Sequence, residues 1–130
     1  MKPPCMIVVQ YVLPAIRVLM MRSLVEKYGL RKIDASAKMA VSPAAVTQYV
    51  KGGRGSAFVE EISQSKRAMQ IVSELAEALV KDEVPMDIVI KKMCKACRII
   101  RSEGTICRLH QKELPALGDS KCVLCEQWIC

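Results

Sequence analysis

The sequence predicts an all-α protein, with a helix-turn-helix DNA-binding module, a long connecting helix and a small cysteine-rich metal-binding tail. Apolar residues recur at helical spacing as far as Ile100. Aromatics are only 4% of the chain, too few for the cross-strand pairs that dominate β-sandwiches. Six of the seven cysteines crowd into the last 37 of 130 residues, which sets the tail apart from the rest. The expected divisions are 1–55 for the DNA-binding module, 56–84 for the linking or dimerisation helix and 85–130 for the cysteine-rich region.

Ile7 to Leu13 is apolar and β-branched, and reads as a short strand or the approach to a helix. Pro14 suits a first helical turn, where its missing N–H is not needed. From there to Tyr28, the residues Ile16, Leu19, Met20, Leu24 and Tyr28 share one face, and Gly29 is a stop. A second helix fits Lys32 to Met39, with Ile33 and Ala37 inward. Ser42-Pro43 pairs a side-chain cap with a proline at the first helical position, opening a helix to Lys51 that Gly52-Gly53 ends. Ser56 is a candidate cap for a long helix from about Ala57 to Lys81. Its stripe of Phe58, Ile62, Met69, Val72, Ala76 and Leu79 suits monomer packing or a dimer seam, with Ser65 in a gap position. Pro85 begins a fifth helix carrying Met86, Val89, Ile90, Met93, Cys97 and Ile100.

Charge is uneven. Residues 1–60 hold nine basic and three acidic side chains, residues 61–93 five and six, and residues 94–130 six and four. Most of the net charge of +7 therefore sits in the first half, as polyanion binding requires. The scarcity of rings excludes a single-strand binder that stacks bases. Gln10, Pro14 and Arg17 interrupt the apolar stretch from Cys5 to Met21, so no uncharged run reaches the roughly 18–20 residues of a membrane span. No signal-peptide pattern is found. The expected compartment is the cytoplasm, where clustered cysteines read as metal or redox chemistry rather than disulfides.

The segment from Ile33 to Tyr49 has the form of a helix-turn-helix, and Val46 and Val50 are placed to anchor its second helix. Ala37 is taken as the small residue where the helices cross. The expected DNA contacts are Ser42, Ala44, Ala45, Thr47 and Gln48, with Lys51 and Arg54 reaching phosphates. Methyl groups suit thymine and an amide suits adenine in the major groove, while cations beyond the helix suit the backbone. Ala40 stands where such turns usually have glycine for a left-handed backbone, and Arg31 where a capping Ser or Thr is common.

Residues 3–54 resemble the N-terminal module of archaeal helix-turn-helix transcriptional regulators. The resemblance rests on Pro3-Pro4-Cys5, Val12-Leu13-Pro14-Ala15-Ile16-Arg17, Leu24-Val25-Glu26-Lys27-Tyr28-Gly29-Leu30 and Val41-Ser42-Pro43-Ala44-Ala45-Val46-Thr47-Gln48-Tyr49. Similar modules occur fused to a thiamine-phosphate synthase-like domain, which a chain of this length cannot hold. This chain resembles the short members that end in a cysteine-rich tail.

That tail runs Cys94-x2-Cys97-x9-Cys107-x2-His110-x11-Cys122-x2-Cys125-x4-Cys130. Two C-x2-C pairs are a metal-site pattern. Thiolates suit zinc and iron–sulfur clusters alike. Zinc would take Cys94, Cys97, Cys122 and Cys125 and leave Cys107 unused; a cluster makes use of the surplus thiol. The resemblance to regulators of largely anaerobic lineages favours an iron–sulfur cluster of the 4Fe-4S type, with zinc as the alternative. His110 ranks below the cysteines as a ligand, Cys130 reads as a bystander, Trp128 as a packing residue, and Cys5 as a core thiol or one that folds back towards the tail.

No Ser/His/acid set, H-E-x-x-H or phosphate-cradling loop occurs, and Gly52-Gly53-Arg54-Gly55 follows a helix rather than a strand. The expected function is therefore not enzymatic. It is a homodimeric transcriptional regulator of double-stranded promoter DNA, with no membrane partner, whose tail senses redox state, oxygen or iron. The alternative is a zinc-stabilised DNA-binding or protein-interaction module without redox sensing.

Overall fold

The computed structural model describes residues 3–51 and 58–117, apart from the Val50 side chain. Helix α1 spans Pro4–Lys27. It is followed by α2 (Lys32–Met39), α3 (Pro43–Val50), α4 (Val59–Ser63), α5 (Lys66–Lys81), α6 (Met86–Ser102) and α7 (Cys107–Glu113), then a single turn at Pro115–Leu117. No strand occurs among the described residues. The chain is all-α.

The N-terminal segment corrects two expectations. Ile7 to Leu13 is neither strand nor approach, and Pro14 does not start the helix. One helix runs straight through both. A proline inside a helix removes a donor and crowds the carbonyl four residues back. Here the turn Val8–Val12, just ahead of Pro14, is widened, with the Leu13 N–H bonded to the Val8 carbonyl five residues back. A second widened turn, Ser23–Lys27, ends the helix. Gly29 then takes φ +68°, and the Leu30 N–H closes on Leu24 O at 3.0 Å, giving the stop expected of that glycine.

Helix α1 is the hub. Ile7, Val12, Ala15, Ile16, Val18, Met21 and Leu24 have no exposed surface. It packs against α3, α4 and α5 along its length and against α7 near its start. By length and composition it is long and apolar enough to cross a membrane, with a mean hydropathy of 1.7; 56% of that window is buried inside the protein.

The single long helix expected from Ala57 to Lys81 is two helices. Gln64 and Ser65 break it, and the Ser65 hydroxyl oxygen accepts the Ala68 N–H at 3.2 Å as the N-cap of α5. The proposed cap Ser56 lies outside the described residues. The apolar stripe survives the break: Phe58, Ile62, Val72, Ala76 and Leu79 are buried and Met69 is partly buried. They pack within the monomer, so this stripe is no dimer seam. Helices α5 and α6 form the most extensive helix pair, a hairpin through Asp82–Pro85. Asp82 ends α5 in the left-handed conformation at φ 57°, which a short polar side chain tolerates. Lys92 and Glu74 meet across the hairpin at 3.2 Å.

Candidate nucleic-acid interface and cysteine region

Helices α2 and α3 are joined by the turn Ala40–Ser42. Ala40 adopts φ 53°, ψ 41°, the left-handed conformation for which the sequence offers no glycine. The Val41 N–H bonds Ser36 O at 3.0 Å and the Ala40 N–H bonds Ala37 O at 3.3 Å, so the last carbonyls of α2 are satisfied in the manner of a glycine-type cap. Ser42 then caps α3, its oxygen accepting the Ala45 N–H at 3.1 Å, and Pro43 occupies the first turn.

The inward register of α2 differs from expectation. Ile33 is 61% exposed and Ala37 is exposed, whereas Ala35 and Ser36 are buried. The small residues on the buried side of α2 are therefore Ala35 and Ser36. The Ser36 hydroxyl donates to Ile33 O at 2.7 Å, which makes its burial inexpensive. Arg31 at the N-cap makes no side-chain cap bond; it pairs with Asp34 at 2.9 Å instead. That hydrogen bond, and then the carboxylate's charge, raise the Arg31 guanidinium above its ordinary value.

Of the expected DNA contacts, Ala44, Gln48 and Lys51 are exposed, and Thr47 is half-buried with its hydroxyl bonded to Pro43 O at 3.3 Å. Ser42 is exposed, with its oxygen engaged in the cap. Ala45 is corrected: it is buried, as are Val46 and Tyr49. Ala45 faces inward because it shares a helical face with Tyr49, four residues on, and adjoins the buried Val46; that face packs against α2 and α1. Tyr49, not singled out from the sequence, joins Val46 in anchoring α3. Arg54 and the side chain of Val50 lie outside the described residues.

Cys94 and Cys97 sit one turn apart on α6, exposed and half-buried respectively. Both line a cavity of about 380 Å³ between α1, α2, α5 and α6, and Cys5 of α1 lines it as well. Cys5 is thus an exposed thiol that lines the same cavity as the α6 pair, not a core thiol. Cys107 opens α7 and does not line this cavity; its sulfur lies against Gly104. His110 is buried on the same short helix. Cys122, Cys125, Trp128 and Cys130 lie outside the described residues. Among the described residues, no three His, Cys, Asp or Glu side chains come together closely enough to hold a metal. Cys94 and Cys97 are the one expected C-x2-C pair that lies within the described residues.

No family model matches the chain, and no curated protein or solved structure resembles it significantly.

Proposed function

We propose that the protein is a sequence-specific DNA-binding transcriptional regulator, not an enzyme, acting in the cytoplasm as a homodimer. In this reading α2 and α3 are a helix-turn-helix with α3 as the groove-reading helix. One observation carries it: a left-handed turn at Ala40 joins two short helices, and the second presents Ala44, Gln48 and Lys51 outward while Val46 and Tyr49 hold it to the core. A methyl, an amide and a cation on one exposed surface suit a base edge and a phosphate. Residues 1–60, with nine basic against three acidic side chains, supply the positive field. A dimer would pair through a surface other than the buried stripe of α5.

The cysteine-rich region is proposed to hold an iron–sulfur cluster through Cys94 and Cys97 together with thiols drawn from Cys107, Cys122 and Cys125. When bound, such a cluster supplies redox sensitivity. The chain's own contribution is to hold two thiolates on α6, whose neighbours in the cavity include Lys38 and Met39 of α2.

The test selects a binding site from random duplexes and measures affinity against salt. Gln48→Ala is expected to lose preference for the selected sequence while keeping salt-dependent background binding. Equal loss on all sequences would remove α3 from groove reading. On protein purified without oxygen, iron and sulfide near stoichiometry support the cluster. One tight zinc per chain makes the tail structural. No duplex preference at all overturns the regulator reading.

A further inference from the structure

The cavity that Cys94 and Cys97 border has an unusual lining. It contains no carboxylate, hydroxyl, amide or aromatic side chain; apart from the cysteines, every lining residue is aliphatic, methionine, or a cation. The cations are Arg17, Lys38, Arg98 and Arg101, from α1, α2 and α6. Arg17 and Arg98 form no ion pair among the described residues, whereas Lys38 stands 3.7 Å from Asp82. At about 380 Å³ the space falls in the range of small-molecule sites, roughly 300–1,000 Å³.

We infer that this cavity binds an amphipathic monoanion: a carboxylate carried on a flexible aliphatic chain. The charge sign follows from a lining that holds four cations and no carboxylate, Asp82 beside Lys38 lying outside it. The apolar body follows from the walls, which offer no group to recognise a sugar or a base. Met20, Met39, Met86 and Met93 favour a flexible chain over a rigid ring, because methionine adapts to irregular shapes and no aromatic side chain is present to stack. Binding of the anion does not rest on the regulator reading. Only its consequence does: Lys38 and Met39 belong to α2, so a ligand here would touch the proposed DNA-binding pair.

The experiment is calorimetric titration of the full chain with decanoate, 1-decanol and acetate, each below its aggregation limit. Saturable binding of decanoate at one site is expected, with decanol weaker by about tenfold or more and acetate not bound. Arg17→Gln with Arg98→Gln should weaken decanoate by about tenfold, while Lys66→Gln, on the far end of α5, should not. Met93→Trp should abolish binding by filling the space; if that variant fails to fold, the arginine pair decides. Because Cys94 and Cys97 form one wall, the titration is run on protein as purified and after metal removal. Comparable binding in both supports the site. Decanol binding as well as decanoate, arginine variants without effect, binding only after metal removal, or no binding at all would each overturn it.

Discussion

The phenolic hydroxyl of Tyr11 donates to Oε1 of Glu113 at 2.5 Å, across 102 positions of sequence. It ties the widened first part of α1 to the short helix α7. A half-buried bond to a carboxylate stabilises by about 1–2 kcal/mol. Tyr11→Phe should lower unfolding stability by that amount in denaturant, with little change in the slope. Hydrogen exchange should quicken first in α7, whose apolar anchors are few.

Ala40→Gly should stabilise the protein. The left-handed conformation costs an L-residue about 1–2 kcal/mol, and the greater freedom of glycine in the unfolded chain returns part of that. A net gain of about 0.5–1 kcal/mol is expected from thermal or urea unfolding. A loss would mean the Ala40 methyl makes a contact that outweighs the strain, although Ala40 is exposed.

Ser65 both caps α5 and donates to Glu103 Oε2 at 2.7 Å. Ser65→Ala should cost about 1–2 kcal/mol. Ser65→Asp should keep the cap but place a second carboxylate beside Glu103, and its deficit should shrink as added salt screens the two charges. A deficit independent of salt would separate the cap from the Glu103 contact.

The hydrogen bond from Lys81 at 2.8 Å, and then the ammonium's charge, hold the Glu77 carboxyl below its ordinary value. A depressed carboxylate contributes stability above its unfolded titration and loses it as pH falls through the folded one. An NMR titration should therefore place the Glu77 midpoint below that of an isolated glutamate. Lys81→Met should move it back up. Both groups are exposed, so salt should erode the shift.

Much of the architecture was legible because its signals are local. The Ser42-Pro43 start and the Gly29 stop are set by the chemistry of one or two residues, and the structure places both as expected. The continuity of α1 was not legible, since Pro14 reads as a start unless a widened turn makes room for it. The break at Ser65 was hidden for a different reason. The two segments keep their apolar residues on the same side, so the periodicity runs through the gap. On α2 the inward choice between Ser36 and Ala37 depends on where the neighbouring helices lie, and a buried serine satisfied by its own helix gives no apolar signal. That Cys5 lines the same cavity as Cys94 and Cys97 is a tertiary relationship across 89 positions that no spacing rule contains.

The two widened turns of α1 also fix how the helix tolerates a change in length. A turn closed by bonds to the fifth residue back stores one residue more than an α-helical turn. Deleting a residue within Val8–Val12 would let that turn revert to α geometry. Deleting one from Leu13–Arg22 would instead rotate one end of the helix by about 100° relative to the other, taking Ile7 and Leu24 out of their common core. The widened turns are thus the positions in this hub where the chain can lose a residue without rearranging everything packed around it.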